Sequence, residues 1–176
     1  MSATVVAFVG LGGNLGDSTA VLQAAFAALA RTPGIELLKA SRMYRTAPWG
    51  LAGQPDFLNA VAMIRTSLAP HGLLQAMLAI ERDAGRSRSE DGSDRWGPRT
   101  LDLDLLLYGD QVVDEPGLQV PHRHLHERAF ALVPLLEIAG DVVIPGVGPA
   151  RDALAAMAGD GSEALPYEAS PPAATR

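Results

Sequence analysis

The sequence predicts an α+β fold built on a mainly antiparallel sheet, and three observations carry that prediction. Short runs with period-two alternation or β-branched residues, TVVAFVG at 4–10, FLNAVAMIRTSL at 57–68 and TLDLDLLLYG at 100–109, have the marks of strands. Alanine- and leucine-rich stretches at helical period, VLQAAFAALAR and GLLQAMLAIERDAG, stand between them. The segments IELLKASRMYRT and FLNAVAMIRTSL follow one another with only a loop between, which favours an antiparallel pair. The resulting order is βαββαβ.

Each element has local reasons. The first strand runs into the glycine-rich LGGNLGD, expected to be a tight turn, and Asp17 or Ser18 suits the N-cap of the first helix. Pro33 and Gly34 end that helix. IELLKASRMYRT is expected as one long strand, APWGLAGQPD as a turn, and Pro70 as the start of the second helix, which stops at Gly85. RSRSEDGSDRWGPR is polar throughout, has no apolar period, and is expected to be a mobile loop. After the strand at 100–109 come a proline-punctuated connection, a helical stretch FALVPLLEIAG bent near Pro134, and a short helix RDALAAMAG. The βαββαβ order matches a ferredoxin-like core, expected as an α/β/α layered sandwich. Residues 1–158 are expected as one domain and 159–176, rich in Ala, Pro, Ser and Gly, as a flexible tail.

Composition narrows the function. The formal charge of −6 argues against a general nucleic-acid binder, which needs clustered positive charge. The charge is uneven, however: of 14 basic residues only Lys39 is lysine, and Arg82, Arg86, Arg88, Arg95 and Arg99 crowd into 18 positions. The absence of cysteine removes disulfides and thiolate chemistry and suits a reducing compartment. No apolar run reaches the roughly 18 residues of a membrane span, and the N-terminal apolar run lacks the basic region of a signal peptide, so a soluble cytoplasmic protein is expected.

Two aspartates, Asp102 and Asp104, interrupt an otherwise apolar strand. Residues two apart share a face, so the carboxylates lie about 6–7 Å apart while Leu101, Leu103, Leu105 and Leu107 are expected to enter the core. At an effective dielectric near 20 the two charges repel by roughly 2–3 kcal/mol, so the pair wants a cation. Either Arg95 or Arg99 folds back as an ion pair, or Mg²⁺ binds and completes its shell with water and phosphate oxygens. Five arginines around one loop favour the second, because a polyphosphate takes metal on one side and bidentate donors on the other. Phe57 and Asn59, two apart on another strand face, pair a flat apolar surface with an amide that both donates and accepts, which suits a heteroaromatic ring.

The run RWGPRTLDLDLLLYG resembles the signature of the 6-hydroxymethyl-7,8-dihydropterin pyrophosphokinases. FVGLGGNLGD, SRMYRTAPWG, QPDFLNAV and VPHRHLHERAFALVPLLEIA extend the likeness in order from about residue 5 to 157. The resemblance implies transfer of pyrophosphate from ATP to the pterin hydroxymethyl oxygen, with AMP leaving, in folate synthesis. It implies two Mg²⁺ ions on Asp102 and Asp104, and catalytic roles for Arg86 and Arg99 beside them. It assigns the pterin to Thr46, Ala47, Trp49, Phe57, Asn59 and Phe130, and ATP to Glu81, Arg88, Trp96, Leu105, His122 and Arg128. A monomer is expected, with ATP and the dihydropterin as its partners and neither nucleic acid nor membrane among them. The loop carrying Glu90, Asp91 and Asp94 departs from the family pattern, as do Gly117 and Gln119 on the adenine side.

Other classes fit less well. The glycines at 10, 12, 13 and 16 do not give G-x-G-x-x-G, so a dinucleotide-binding oxidoreductase is disfavoured; they more simply permit a tight turn, with a phosphate or pterin expected to pass nearby. No glycine loop precedes Lys39, and the aromatic motifs of an RNA-binding module are missing. His122, His124 and His126 lack an evident fourth ligand for zinc. A pterin- and nucleotide-binding protein without turnover is the remaining alternative.

Overall fold

The computed structural model describes residues 3–14, 17–46, 56–85, 101–157 and 165–166. The elements run β1 (Val5–Gly13), α1 (Ser18–Arg31), β2 (Ile35–Ala40), β3 (Tyr44–Thr46), β4 (Phe57–Thr66), α2 (Pro70–Asp83) and β5 (Asp102–Tyr108). A hairpin follows, β6 (Val113–Glu115) and β7 (Leu118–Val120), then a 3-10 turn at Leu125–Glu127 and α3 (Ala129–Ile138). The two-residue strands β8 (Val143–Ile144) and β9 (Gly148–Pro149), α4 (Ala150–Ala155) and β10 (Leu165–Pro166) complete the described chain.

The main sheet has the order β10-β3-β4-β1-β5, with β2 also paired to β4, and every neighbouring pair is antiparallel. This is the ferredoxin-like arrangement expected from the βαββαβ order. One face packs under α1 and α2, where Val9, Leu11, Ala60, Ile64, Leu103 and Leu105 meet Leu22, Phe26, Leu73 and Met77. The other face packs under α3, where Phe8, Val61, Leu106 and Leu107 meet Leu132 and Leu135. At roughly 1.5–3 kcal/mol per buried large side chain, the two clusters supply the main drive for folding. Asp17 caps α1 by accepting the Ala20 N–H at 3.1 Å, Pro70 opens α2, and Gly34 and Gly85 adopt positive φ just past the two helix ends.

Several expectations are corrected. β1 continues through Gly13 where a tight turn was expected, because β4 and β5 both pair with the glycine-rich run. IELLKASRMYRT is two strands, not one. At the break, the Val61 N–H donates to Ser41 Oγ at 2.8 Å and the Arg42 N–H donates to Glu137 Oε2 at 2.9 Å, drawing the chain away from regular pairing. Tyr44 also donates its hydroxyl to Glu137, tying β3 to the end of α3. Burial, and then the hydrogen bond to Glu137, push the Tyr44 pKa up, so the hydroxyl stays a donor.

Leu107 does not share a face with Leu101, Leu103 and Leu105. The β1–β5 register steps from Phe8↔Leu107 to Val9↔Leu105, leaving Leu106 as the extra residue of a bulge that inverts the alternation. Leu106 and Leu107 therefore join the α3 cluster, and Tyr108 the opposite one. In the segment expected to be a loose tail, Leu165 and Pro166 pair with Arg45 and Tyr44. The expected turn at 47–55 and the arginine-rich loop at 86–99 lie outside the described residues.

Candidate active site

On the α3 side of the sheet, a cavity of about 380 Å³ opens between the ends of β1, β4 and β5 and the segment 122–131. The strand alternation determines what it displays. Odd residues of β4 put Phe57 and Asn59 on this face, while Asp102 and Asp104 of β5 line it and the intervening leucines fill the other side. Gly10 and Gly12 of β1 lie between the two sets: Gly12 pairs with Asn59 and Asp102, and Gly10 with Val61 and Asp104.

Asn59 Nδ2 donates to Thr46 Oγ1 at 2.9 Å, which orients the amide at the edge of the cavity. Phe57 on β4 and Phe130 in the first turn of α3 both line the same space. The Arg128 guanidinium lies 5.5 Å from the centroid of the Phe130 ring, in cation–π range, and joins the aromatic part of the cavity to its polar part.

His122 belongs to the polar part. Its backbone N–H donates to Leu106 O at 3.0 Å, which pins the segment to β5, and its Nε2 is 3.9 Å from Asp104 Oδ1. The His124 N–H donates to His122 Nδ1 at 3.2 Å. That contact makes Nδ1 the acceptor and leaves the proton of the neutral ring on Nε2, facing Asp104. Burial, reinforced by the neighbouring positive charge of Arg128, lowers the His122 pKa to about 4, so the ring is neutral at physiological pH.

Asp102, Asp104 and Glu127 line the cavity together with Arg128. Hard carboxylate oxygens are the donors that Mg²⁺ prefers. The donor set therefore fits the ion.

Of the residues singled out from the sequence, the structure brings Thr46, Phe57, Asn59, Asp102, Asp104, His122, Arg128 and Phe130 to this cavity. Glu81 and Leu105 do not line it. Leu105 is buried in the α1–α2 core. Glu81 is 2% exposed; its Oε2 accepts the Leu103 N–H at 2.8 Å, from the outer side of β5 between the two aspartates. Ala47, Trp49, Arg86, Arg88, Trp96 and Arg99 lie outside the described residues. Gly117, at φ +80, serves the β6–β7 turn, and Gln119 bonds Asp114 across that hairpin. Gly10 and Gly12, expected as turn glycines beside a phosphate or pterin, line the cavity from within β1, and His124 and Glu127 line it without a sequence signal for that role.

Residues 8–140 match the family model described as 7,8-dihydro-6-hydroxymethylpterin-pyrophosphokinase. The 2-amino-4-hydroxy-6-hydroxymethyldihydropteridine pyrophosphokinase of Methylorubrum extorquens is 49% identical over 157 residues, covering 89% of this chain and 96% of the relative. The Pseudomonas aeruginosa protein of the same description is 46% identical over 159 residues, 90% of this chain and 96% of its own. Among solved structures, a Plasmodium falciparum HPPK-DHPS triple mutant superposes with a TM-score of 0.69 at 13% identity. That likeness covers 88% of this chain and 44% of the larger one, and it speaks for the fold. The chain belongs to the 7,8-dihydro-6-hydroxymethylpterin-pyrophosphokinase family.

Proposed function

We propose that the protein transfers the pyrophosphoryl group of ATP to the hydroxymethyl oxygen of 6-hydroxymethyl-7,8-dihydropterin in folate biosynthesis. The hydroxymethyl oxygen attacks the β-phosphorus and forms the new P–O bond. The bond from the β-phosphorus to the bridging oxygen breaks, AMP leaves with that electron pair, and the hydroxyl proton is released. The observation that carries this reading is one cavity holding Phe57, Phe130 and the Thr46–Asn59 pair beside Asp102, Asp104, His122 and Arg128. The first group suits a flat heterocycle and the second suits phosphates.

Asp102 and Asp104 would hold two Mg²⁺ ions, which when bound supply charge neutralisation for the triphosphate and the attacking oxygen. The protein's own groups position the reactants. His122 offers an Nε2–H donor to a phosphate oxygen, and its Nδ1 is already engaged by His124, so it serves as a donor rather than as the base. Arg128 supplies a fixed positive charge beside the ring pocket. Arg86, Arg88, Arg99 and Trp96 belong to the ATP side of the same proposal, together with Ala47 and Trp49 on the pterin side. Glu81 and Leu105 support β5 from its far side in this account. The proposal extends to a cytoplasmic monomer, whose mass sedimentation checks.

Incubation with ATP, Mg²⁺ and the dihydropterin, followed by nucleotide separation, tests the function. AMP in step with diphosphorylated pterin is expected. ADP as the product would indicate an ordinary kinase, and binding without either product would indicate a pterin carrier.

A further inference from the structure

Gly12 stands in the middle of a row of three residues that all line the cavity: Asn59 on β4, Gly12 on β1 and Asp102 on β5. Two strand spacings put the outer members roughly 10 Å apart, with bare backbone between them. Gly12 is not among the glycines with positive φ, so conformation does not explain the missing side chain. Space explains it. A Cβ on Gly12 would stand 2.9 Å from Asn59 Oδ1, inside normal carbon–oxygen contact. The amide does not yield freely, because Asn59 Nδ2 is held by Thr46 Oγ1. One step along the same strand, the three atoms nearest a Cβ on Gly10 would all belong to the Leu106 side chain, at 3.4–3.6 Å.

We infer that Gly12 is a specificity-determining residue for the heterocycle. It is a step in the sheet without a side chain, which keeps the Asn59 amide in its hydrogen-bonding position and lets a flat ring lie on the backbone between Asn59 and Asp102. The inference rests on the proposed pterin transfer. Gly12 acts through Asn59 and through the space above its own Cα, and it has no part in holding phosphate.

Gly12→Ala, Asn59→Ala and the double variant of the whole chain test this, with dihydropterin Kd, ATP-analogue Kd and Tm measured for each. Gly12→Ala is expected to weaken pterin binding at least about tenfold, with ATP-analogue affinity within about twofold of wild type. In the Asn59→Ala background the same change is expected to cost clearly less than in the wild-type background, since the part of its effect that runs through the Asn59 amide is already gone. Unchanged pterin affinity, equal loss of both ligands, or full additivity in the double variant would each overturn the inference. If Gly12→Ala does not fold, Thr46→Val loosens the same amide from its other side. It is expected to weaken pterin binding alone, and an unchanged pterin Kd there would overturn the inference as well. A wild-type protein that forms AMP while Gly12→Ala matches it would defeat only the inference; a wild-type protein that neither binds the dihydropterin nor forms AMP would defeat the proposed function too.

Discussion

The two faces of the central strands carry the same backbone hydrogen bonds but opposite chemistry. Toward α1 and α2, Val9, Leu11, Ala60, Ile64, Leu103 and Leu105 form a continuous closed core. Toward α3, only half of the face is closed, around Phe8, Val61, Leu106 and Leu107. The other half presents Gly12, Asn59, Asp102 and Asp104 to a cavity. Stability is thus concentrated on one face and part of the other, which leaves the open part free to hold like charges and exposed amides that a core would reject. On β5 the division falls between adjacent residues.

Substitutions on opposite sides of β5 give the sharpest contrast. Asp104→Asn is expected to cut AMP formation by about a thousandfold or more through lost charge stabilisation. Its Tm should stay within about 2 °C of wild type, because the side chain faces the cavity rather than the core. Leu103→Ala is expected to cost about 2–5 kcal/mol, lowering Tm by roughly 5–15 °C. Thermal scans and initial rates on both variants break the comparison if the aspartate variant unfolds as readily as the leucine one.

Asn59→Ala comes next. Loss of its hydrogen bonds to a bound ring should raise the pterin KM by about ten- to a hundredfold, with a smaller change in kcat. A pure kcat effect in steady-state rates would place Asn59 on the wrong substrate. Glu81→Ala acts across the strand: it removes the Glu81 Oε2 acceptor of the buried Leu103 N–H, at a cost of about 1–3 kcal/mol. The distortion falls between the two aspartates, so turnover should drop about tenfold, and Glu81→Gln, which keeps an acceptor, should recover most of it. Equal rates for the two variants would remove Glu81 from the positioning of β5. The smallest change is expected for His122→Gln, about tenfold or less in kcat, since one neutral donor is altered.

Much of this division was legible in the sequence. Period-two alternation put Asp102 with Asp104 and Phe57 with Asn59, and Pro70, Asp17, Gly34 and Gly85 marked helix ends through chemistry that is local. What depends on pairing between distant segments was not legible. The register that aligns Asn59, Gly12 and Asp102 is set by three strands at once, so no single segment reveals it. The bulge at Leu106 inverts the face of Leu107 without any residue that announces it. Glu81 sits on a helix whose neighbours in sequence are Ile80 and Arg82, and its burial follows from its bond to the Leu103 N–H of β5, which the helix alone does not reveal. The break between β2 and β3 depends on Glu137, 95 positions from Arg42.

The central claim is that the open end of β5 grips divalent cations through Asp102 and Asp104 when a triphosphate is present. Electron paramagnetic resonance with Mn²⁺ and a non-hydrolysable ATP analogue, on wild type and on an Asp102→Asn, Asp104→Asn double variant, measures this directly. Two bound ions per wild-type chain and a loss of most binding in the double variant are predicted; equal Mn²⁺ binding by the two proteins would contradict the account.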